Sequence, residues 1–343
     1  MQKWTTNISL QHLNGNLVIE NVRIKRGIFQ GDSLSPLLFC LAIDPLSKII
    51  KREGIGYSLA RGRVKKTEKK QETISHLLFM DDLKLYAENE RQLQQLISTV
   101  KEVSDDIGME FGLDKCAKCT IRTGKKVDGM NLKTKEEDSI QEINQQSSYK
   151  YLGIEENANI EHKKMRETTQ QEYIKRIKKI CRTSLKNKHK ITAINQLALP
   201  VLTYGFGVVE WPQRELNSLD IKTRKILTMH KVIYRNQCMD RVYLPRAEGG
   251  LGLMGVDDSH RATVIGLAQY LTKSTDPLLE KVKRQHDLDL AMHKSITKLA
   301  ACFQKEFDKE DKRDKECDWK IQYVKDERER KRERWRNNQR AGR

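Results

Sequence analysis

No apolar run in this 343-residue sequence is long enough to cross a bilayer, and its N-terminus has no apolar signal-peptide core. A membrane-spanning or secreted protein is therefore not the expectation. A disulfide framework is missing as well. The seven cysteines (Cys40, Cys116, Cys119, Cys181, Cys238, Cys302 and Cys317) are odd in number and scattered, which points to a reducing, intracellular compartment, nucleus and/or cytoplasm. Cys116 and Cys119 form one CxxC, but no second CxxC or nearby His pair completes a zinc site. Internal repeats are absent. Acid is in deficit, with 47 Asp and Glu against 65 Lys and Arg, for a net charge of +18. Such an excess calls for a polyanionic partner, because cations set against phosphates release counterions. An anionic membrane surface could use the same charge; nucleic acid suits it better, and no membrane partner is expected. With 37% hydrophobic and 33% charged residues, the chain is polar but foldable and long enough for two or three domains.

What is present is an acidic pair in an apolar setting. Asp81 and Asp82 stand between Ser75-His76-Leu77-Leu78-Phe79-Met80 and Leu83-Lys84-Leu85-Tyr86-Ala87. Two strand-like runs joined without a loop glycine read as a β-hairpin with both acids at its tip. Paired negative charge on a rigid tip needs an offsetting cation, so the pair is either a divalent-metal site or an acidic surface turn.

Around it, Asn14-Gly15-Asn16 between Ile8-Ser9-Leu10 and Leu17-Val18-Ile19 reads as another hairpin. In Arg26-Gly27-Ile28-Phe29-Gln30-Gly31-Asp32-Ser33-Leu34-Ser35-Pro36, Ser35 before Pro36 signals an N-cap, and Leu37 to Ile50 follows as a mostly apolar, buried helix. A glycine-flanked loop entering a helix can bring backbone N–H groups to a phosphate or base; an ordinary junction is the other reading. After a charged link at 60–72, Leu93, Leu96, Val100, Val103 and Ile107 give an amphipathic helix that Gly108 stops. A strand around Cys116–Ile121 carries Lys118, the stretch 124–148 is polar and loop-like, and Tyr149-Lys150-Tyr151-Leu152-Gly153 is a strand closing on a turn.

From Glu161 the chain turns helical and basic. Tyr173, Ile174, Ile177, Ile180 and Leu185 line one face, while Lys175, Arg176, Lys178 and Lys179 crowd elsewhere, an arrangement suited to tracking a nucleic-acid backbone. Pro200 should kink or end the apolar helix of Ala193–Val209. Leu216–His230 is another amphipathic helix, Gly249-Gly250-Leu251-Gly252 a turn, and the tail from about Glu306 a long, exposed charged helix.

Taken together, these motifs resemble a reverse transcriptase of the non-LTR (LINE-type) retrotransposon class. Arg26–Phe39 is similar to that family's RGxxQGDxLSPLLF segment, Phe79-Met80-Asp81-Asp82 to its FxDD hairpin, Phe111–Lys118 to the glycine-leucine segment that ends in lysine, and Tyr151-Leu152-Gly153 to its primer grip. The resemblance implies an α+β fold: a partial polymerase palm (an antiparallel sheet with packed helices) over 1–155, a basic helical thumb and connector over 156–255, and a charged helical region over 256–343. It implies RNA-directed DNA polymerisation, with Asp81 and Asp82 as Mg²⁺ (or Mn²⁺) ligands and Lys118 beside the leaving pyrophosphate or, alternatively, a generic surface lysine. Arg26, Gly27, Gln30, Gly31 and Ser35 would contact template or nucleotide, and an RNA template with a DNA primer, or their hybrid, would be the partner.

That family's palm has a further carboxylate upstream, whereas no aspartate occurs in Met1–Gly31. Transfer through two metals about 3.5–4 Å apart needs such a bridging acid. The expectation is an N-terminally truncated fragment, inactive alone, that binds metal weakly and awaits a complementing chain with fingers and first palm strand. The alternative is a non-catalytic nucleic-acid-binding remnant.

Overall fold

A computed structural model describes residues 4–12, 15–24, 31–58, 73–109, 115–127, 148–280, 295–308 and 327–337, with isolated positions between them (112, 129, 132–133, 139–140, 142–143 and 282–283). The chain divides into two compact units, Met1–Leu152 and Gly153–Arg343. It is mixed in class, with helices and small two-stranded antiparallel sheets.

In the first unit, β1 (Trp4–His12) pairs antiparallel with β2 (Gly15–Ile24), with a register shift between Thr6 and Ile8. His12 already faces Gly15, so Gly15 and Asn16 belong to β2 rather than to the turn that Asn14-Gly15-Asn16 suggests. Helix α1 (Ser35–Arg52) starts differently from the sequence expectation. Its N-cap is Leu34, not Ser35, and an Asp32 turn leads into it: Asp32 Oδ1 accepts from Leu34 N–H (3.0 Å) and the Asp32 carbonyl from Ser35 N–H (3.2 Å). Ser35 is thus the first helical residue and is buried.

The expected burial of this helix is also corrected. Only Ser35, Leu46 and Ile50 are buried, whereas Leu37 is 56% and Leu41 63% exposed. The second half of α1 packs with α2 (Glu90–Ile107) through Leu46, Ile50, Leu96 and Val100, whereas Leu37 and Leu41 in its first two turns face outward. Helix α2 follows its sequence pattern. Asn89 accepts from Gln92 N–H (2.9 Å) at the start, and Gly108, at φ 71, closes the end in the left-handed region that glycine tolerates.

Two short pairs lie between these helices in the chain: β3 (Tyr57–Ser58) with β4 (Thr73–Ile74), and β5 (His76–Phe79) with β6 (Asp82–Leu85). The stretch read as loop holds more structure than its polarity suggests. There β7 (Thr120–Arg122) pairs with β8 (Lys125–Val127), and β9 (Leu132–Lys133) with β10 (Ser139–Ile140). Leu132 and Ile140 bury against Ile97, which anchors β9 and β10 to α2. β11 (Tyr149–Tyr151) ends the unit.

The second unit opens with β12 (Ile154–Glu156) and is otherwise helical. Its core gathers Tyr173, Ile177 and Cys181 of α3 (His162–Arg182), Ile191 of α4 (Asn187–Ala193), Leu202 of α5 (Pro200–Thr203), and Leu216, Leu219 and Leu227 of α6 (Gln213–Met229). Around Pro200 the helical run changes character between α4 and α5. Ile194–Ala198 widens into a π-helical turn in which Leu199 N–H reaches the Ile194 carbonyl (3.0 Å), and the wider loop accommodates a ring that would strike the carbonyl four residues back. Beyond α7 (Met239–Tyr243), helix α8 (Val256–Lys273) packs with Ile296–Asp308 through Ile265, Ala300 and Phe303. A last helix occupies 327–337; residues 309–326 of the predicted tail helix lie outside the described residues.

Candidate active site and nucleic-acid interface

The acidic pair lies where the alternation places it. His76 pairs with Leu85 and Phe79 with Asp82, which leaves Met80 and Asp81 as the two-residue turn. Met80 has φ 54, a left-handed conformation that costs an ordinary side chain about 1–2 kcal/mol. Strain of this kind persists where the surrounding structure fixes it, often at functional tips. Asp81 and Asp82 are both exposed. From below, the hairpin is tied to α1 by His76, whose ring nitrogens meet Ser47 Oγ (2.8 Å) and Ser75 Oγ (2.9 Å). Burial first, and then nearby Lys51, hold His76 below its usual pKa, so at neutral pH it bridges two hydroxyls as an uncharged ring.

The hairpin and the Tyr151 segment lie side by side. Lys84 of β6 sits over the Tyr151 ring (4.9 Å) and near that of Tyr86 (5.9 Å). The Tyr149 hydroxyl donates to the Lys115 carbonyl (2.9 Å). Leu152 (φ 45) and Gly153 (φ 79) then turn the chain sharply. Of the glycine-rich segment, Gly31 is described, with φ 93 and open space beside its Cα, and Ser35 starts α1; Arg26, Gly27 and Gln30 lie outside the described residues.

Lys118 is neither an exposed lysine nor a surface one. It is 5% exposed; its ammonium donates to Glu90 Oε1 (2.6 Å) and lies 3.2 Å from Glu142 Oε2. Glu142 also accepts from Thr120 N–H (2.7 Å), and Gly129 lies so close that a Cβ there would strike Thr120, Lys118 and Glu142. This cluster pins the start of α2 to β7, a role the sequence did not reveal because its partners lie tens of residues away.

The chemistry of Asp81 and Asp82 suits a hard divalent cation, but their number does not make a two-metal centre. Among the described residues, no group of three or more Asp, Glu, His or Cys could hold a metal ion, and that includes Cys116 and Cys119.

In the second unit, the cationic residues of α3 divide by partner. Arg176 donates to Glu172 Oε1 (2.8 Å) and to the Leu197 carbonyl (2.8 Å), and Lys175 lies 3.6 Å from Glu172. Lys178, Lys179 and Arg182, by contrast, are exposed and form no ion pair among the described residues. With Gln171, Ile174 and Lys175 they line a shallow groove along the helix. No acid occurs between Tyr173 and Val209, so nothing in that stretch offsets this charge.

Residues 1–155 match the family described as reverse transcriptase (RNA-dependent DNA polymerase), so this part of the chain is similar to a reverse transcriptase domain. Its relatives narrow the type. The Pol polyprotein of type-2 retrotransposable element R2DM from Drosophila melanogaster is 25% identical over 240 residues, covering 66% of this chain and 21% of that protein. That of type-1 retrotransposable element R2 from Nasonia vitripennis is 30% identical over 138 residues, 39% of this chain and 12% of the relative. The matched part of the chain is homologous to the R2 Pol polyproteins, and the chain spans a small part of either relative.

Proposed function

We propose that the first unit is palm material of an RNA-directed DNA polymerase, with Asp81 and Asp82 as two of its metal-binding carboxylates and Tyr151-Leu152-Gly153 as its primer grip, and that the basic helices of the second unit act as its thumb. Template RNA, DNA primer or their hybrid is the partner. Alone, this chain holds RNA–DNA primer–template without extending it. The observation that carries this reading is the pair of acids at the tip of a strained hairpin in a reverse transcriptase domain, with no third metal donor among the described residues. Two carboxylates of one turn hold Mg²⁺ weakly, so extension requires a third acid from outside the described set. No step of the transfer is assigned to Lys118, whose ammonium is engaged by two glutamates.

A second reading, a nucleic-acid-binding protein without catalysis, draws on the acid-free run from Tyr173 to Val209, which needs no metal to bind phosphate. Salt-dependent binding to a labelled RNA–DNA primer–template, followed by a search for extension in Mg²⁺ or Mn²⁺, tests both. Binding that ignores salt overturns the electrostatic part, and extension that disappears in Asp81→Ala overturns the claim of inactivity.

A further inference from the structure

The loop that follows α6 presents an aromatic ring to solvent in a setting that burial does not explain. Val232 and Ile233 are buried, and Val232 N–H donates to the Leu227 carbonyl (2.9 Å), so the loop is anchored by its middle. Tyr234 is nonetheless 84% exposed, and Met229 on the other side of the anchor is 79% exposed. Tyr234 is not a loose end. Its N–H donates to Gln237 Oε1 (3.3 Å), and its carbonyl accepts from Gln237 N–H (3.2 Å), a closed turn that fixes the backbone beneath the ring.

A second segment is fastened beside this one. The Asn187 side chain donates to the carbonyls of Lys231 (3.2 Å) and Val232 (3.3 Å), joining the α3–α4 connection to the loop. Each element brings cations. Lys186 and Lys188 flank Asn187, and Lys231 and Arg235 flank the aromatic loop; all four are exposed and form no ion pair among the described residues. No opposing charge comes from either element, because neither Tyr173–Val209 nor Ile221–Met239 contains an acid.

An exposed ring on a fixed backbone, within a field of one sign, is what a nucleobase with a phosphate on either side recognises. Stacking on an exposed aromatic contributes without regard to base identity, and the adjacent cations follow the backbone. Duplex offers phosphates to the cations but keeps its bases stacked on one another, so the ring distinguishes single strands. We propose that Tyr234 is a stacking platform for an unpaired base of single-stranded nucleic acid, with Lys186, Lys188, Lys231 and Arg235 holding its phosphates. This rests on the reading that the second unit binds nucleic acid, and it adds a strand preference and a residue that no motif assigns.

The test is a fluorescence-anisotropy titration of the full chain with a fluorescein-labelled oligothymidylate of about 12 nucleotides and a blunt duplex of equal length, within the site sizes such platforms use. Tyr234→Ala should weaken single-strand binding about tenfold or more and leave duplex binding unchanged, while Tyr234→Trp restores the single-strand affinity. The paired change Lys186→Ala with Lys231→Ala should weaken both ligands and reduce the salt slope. Tyr234→Ala that binds the single strand as tightly as the parent, or that loses both ligands equally, overturns the platform and leaves the proposed function standing. A parent chain that binds neither ligand overturns both. Loss of binding to phosphatidylserine vesicles with oligonucleotide binding unchanged also overturns the platform, because the ring would then serve a lipid surface. Circular dichroism of each variant guards against misfolding, and substitution at so exposed a position should scarcely alter it.

Discussion

Replacing Lys118 by Met separates a structural lysine from one that acts on pyrophosphate. In the parent, the ammonium is buried between Glu90 Oε1 (2.6 Å) and Glu142 Oε2 (3.2 Å), so its removal leaves one well-buried carboxylate, Glu142, without its cation. Breaking a buried ion pair by deleting one partner costs about 3–5 kcal/mol. Glu142 keeps its bonds from the Thr120 N–H and hydroxyl, and Glu90 is partly exposed and can regain water, which places the expected cost near the lower limit, about 3 kcal/mol. The suitable assay is native-state hydrogen exchange of peptides covering α2 and β7, the two elements this cluster joins. Three kcal/mol should speed exchange there about 100-fold, with peptides of the second unit unchanged. Lys118→Arg should lose less, since it keeps a cation but forces a planar group into a pocket closed by Gly129. Unchanged protection in Lys118→Met, with weakened nucleotide binding, would refute the structural assignment and return the ammonium to a substrate.

Three further expectations concern the folded state. His260 lies between the rings of Phe206 (5.1 Å) and Phe303 (6.1 Å), with no partner at Nδ1 among the described residues, and burial lowers its pKa from 6.5 to about 4. Its neutral form therefore supports the second unit above pH 6.5, and that support is lost as pH falls through about 4; at 1.36 kcal/mol per unit the loss is about 3 kcal/mol, and His260→Phe should abolish the slope in urea denaturation across that window. Asp220 behaves oppositely. Burial raises it from 3.8 to about 6 although it accepts from the N–H groups of Val256 and Asp257, so its contribution is full below pH 3.8 and lost as pH rises through about 6; Asp220→Asn should remove that decline, and a decline of equal size in the variant contradicts the assignment. Met80→Gly should relieve the positive φ at the hairpin tip by about 1 kcal/mol, seen as slower exchange of the β5–β6 amides; faster exchange would mean that Met80 contributes more through its side chain than it costs in strain.

Local pattern carried much of this structure. The β5–β6 hairpin and α2 were legible because alternation, three- and four-residue spacing and a stop glycine, Gly108, are signals written in local sequence, whereas the N-cap Asn89 went unread. Burial of α1 was not legible, because a helix rich in leucine is buried only if another element covers it, and Leu37 and Leu41 have no such cover among the described residues. Lys118 was ambiguous for a similar reason, since neither Glu90 nor Glu142 is close to it in sequence. Asn195 illustrates the limit most clearly. It donates to the Gly252 carbonyl (2.7 Å) and accepts from Met254 N–H (3.1 Å), so it anchors the glycine-rich turn, yet nothing about an asparagine in an apolar run announces backbone partners nearly sixty residues away. The basic face of α3 was legible as charge, but which of its cations form no ion pair among the described residues, Lys178 and Lys179 rather than Arg176, required the fold.

The central claim is that this chain retains the acidic hairpin of a reverse transcriptase and, alone, binds primer–template without extending it. The most direct measurement follows one end-labelled RNA–DNA primer–template in a single reaction with nucleotides and Mg²⁺ or Mn²⁺, by native gel for binding and by denaturing gel for primer length. The account predicts a salt-sensitive shift with no lengthened primer, the same for the parent and for Asp81→Ala. A primer lengthened by the parent but not by Asp81→Ala would contradict it.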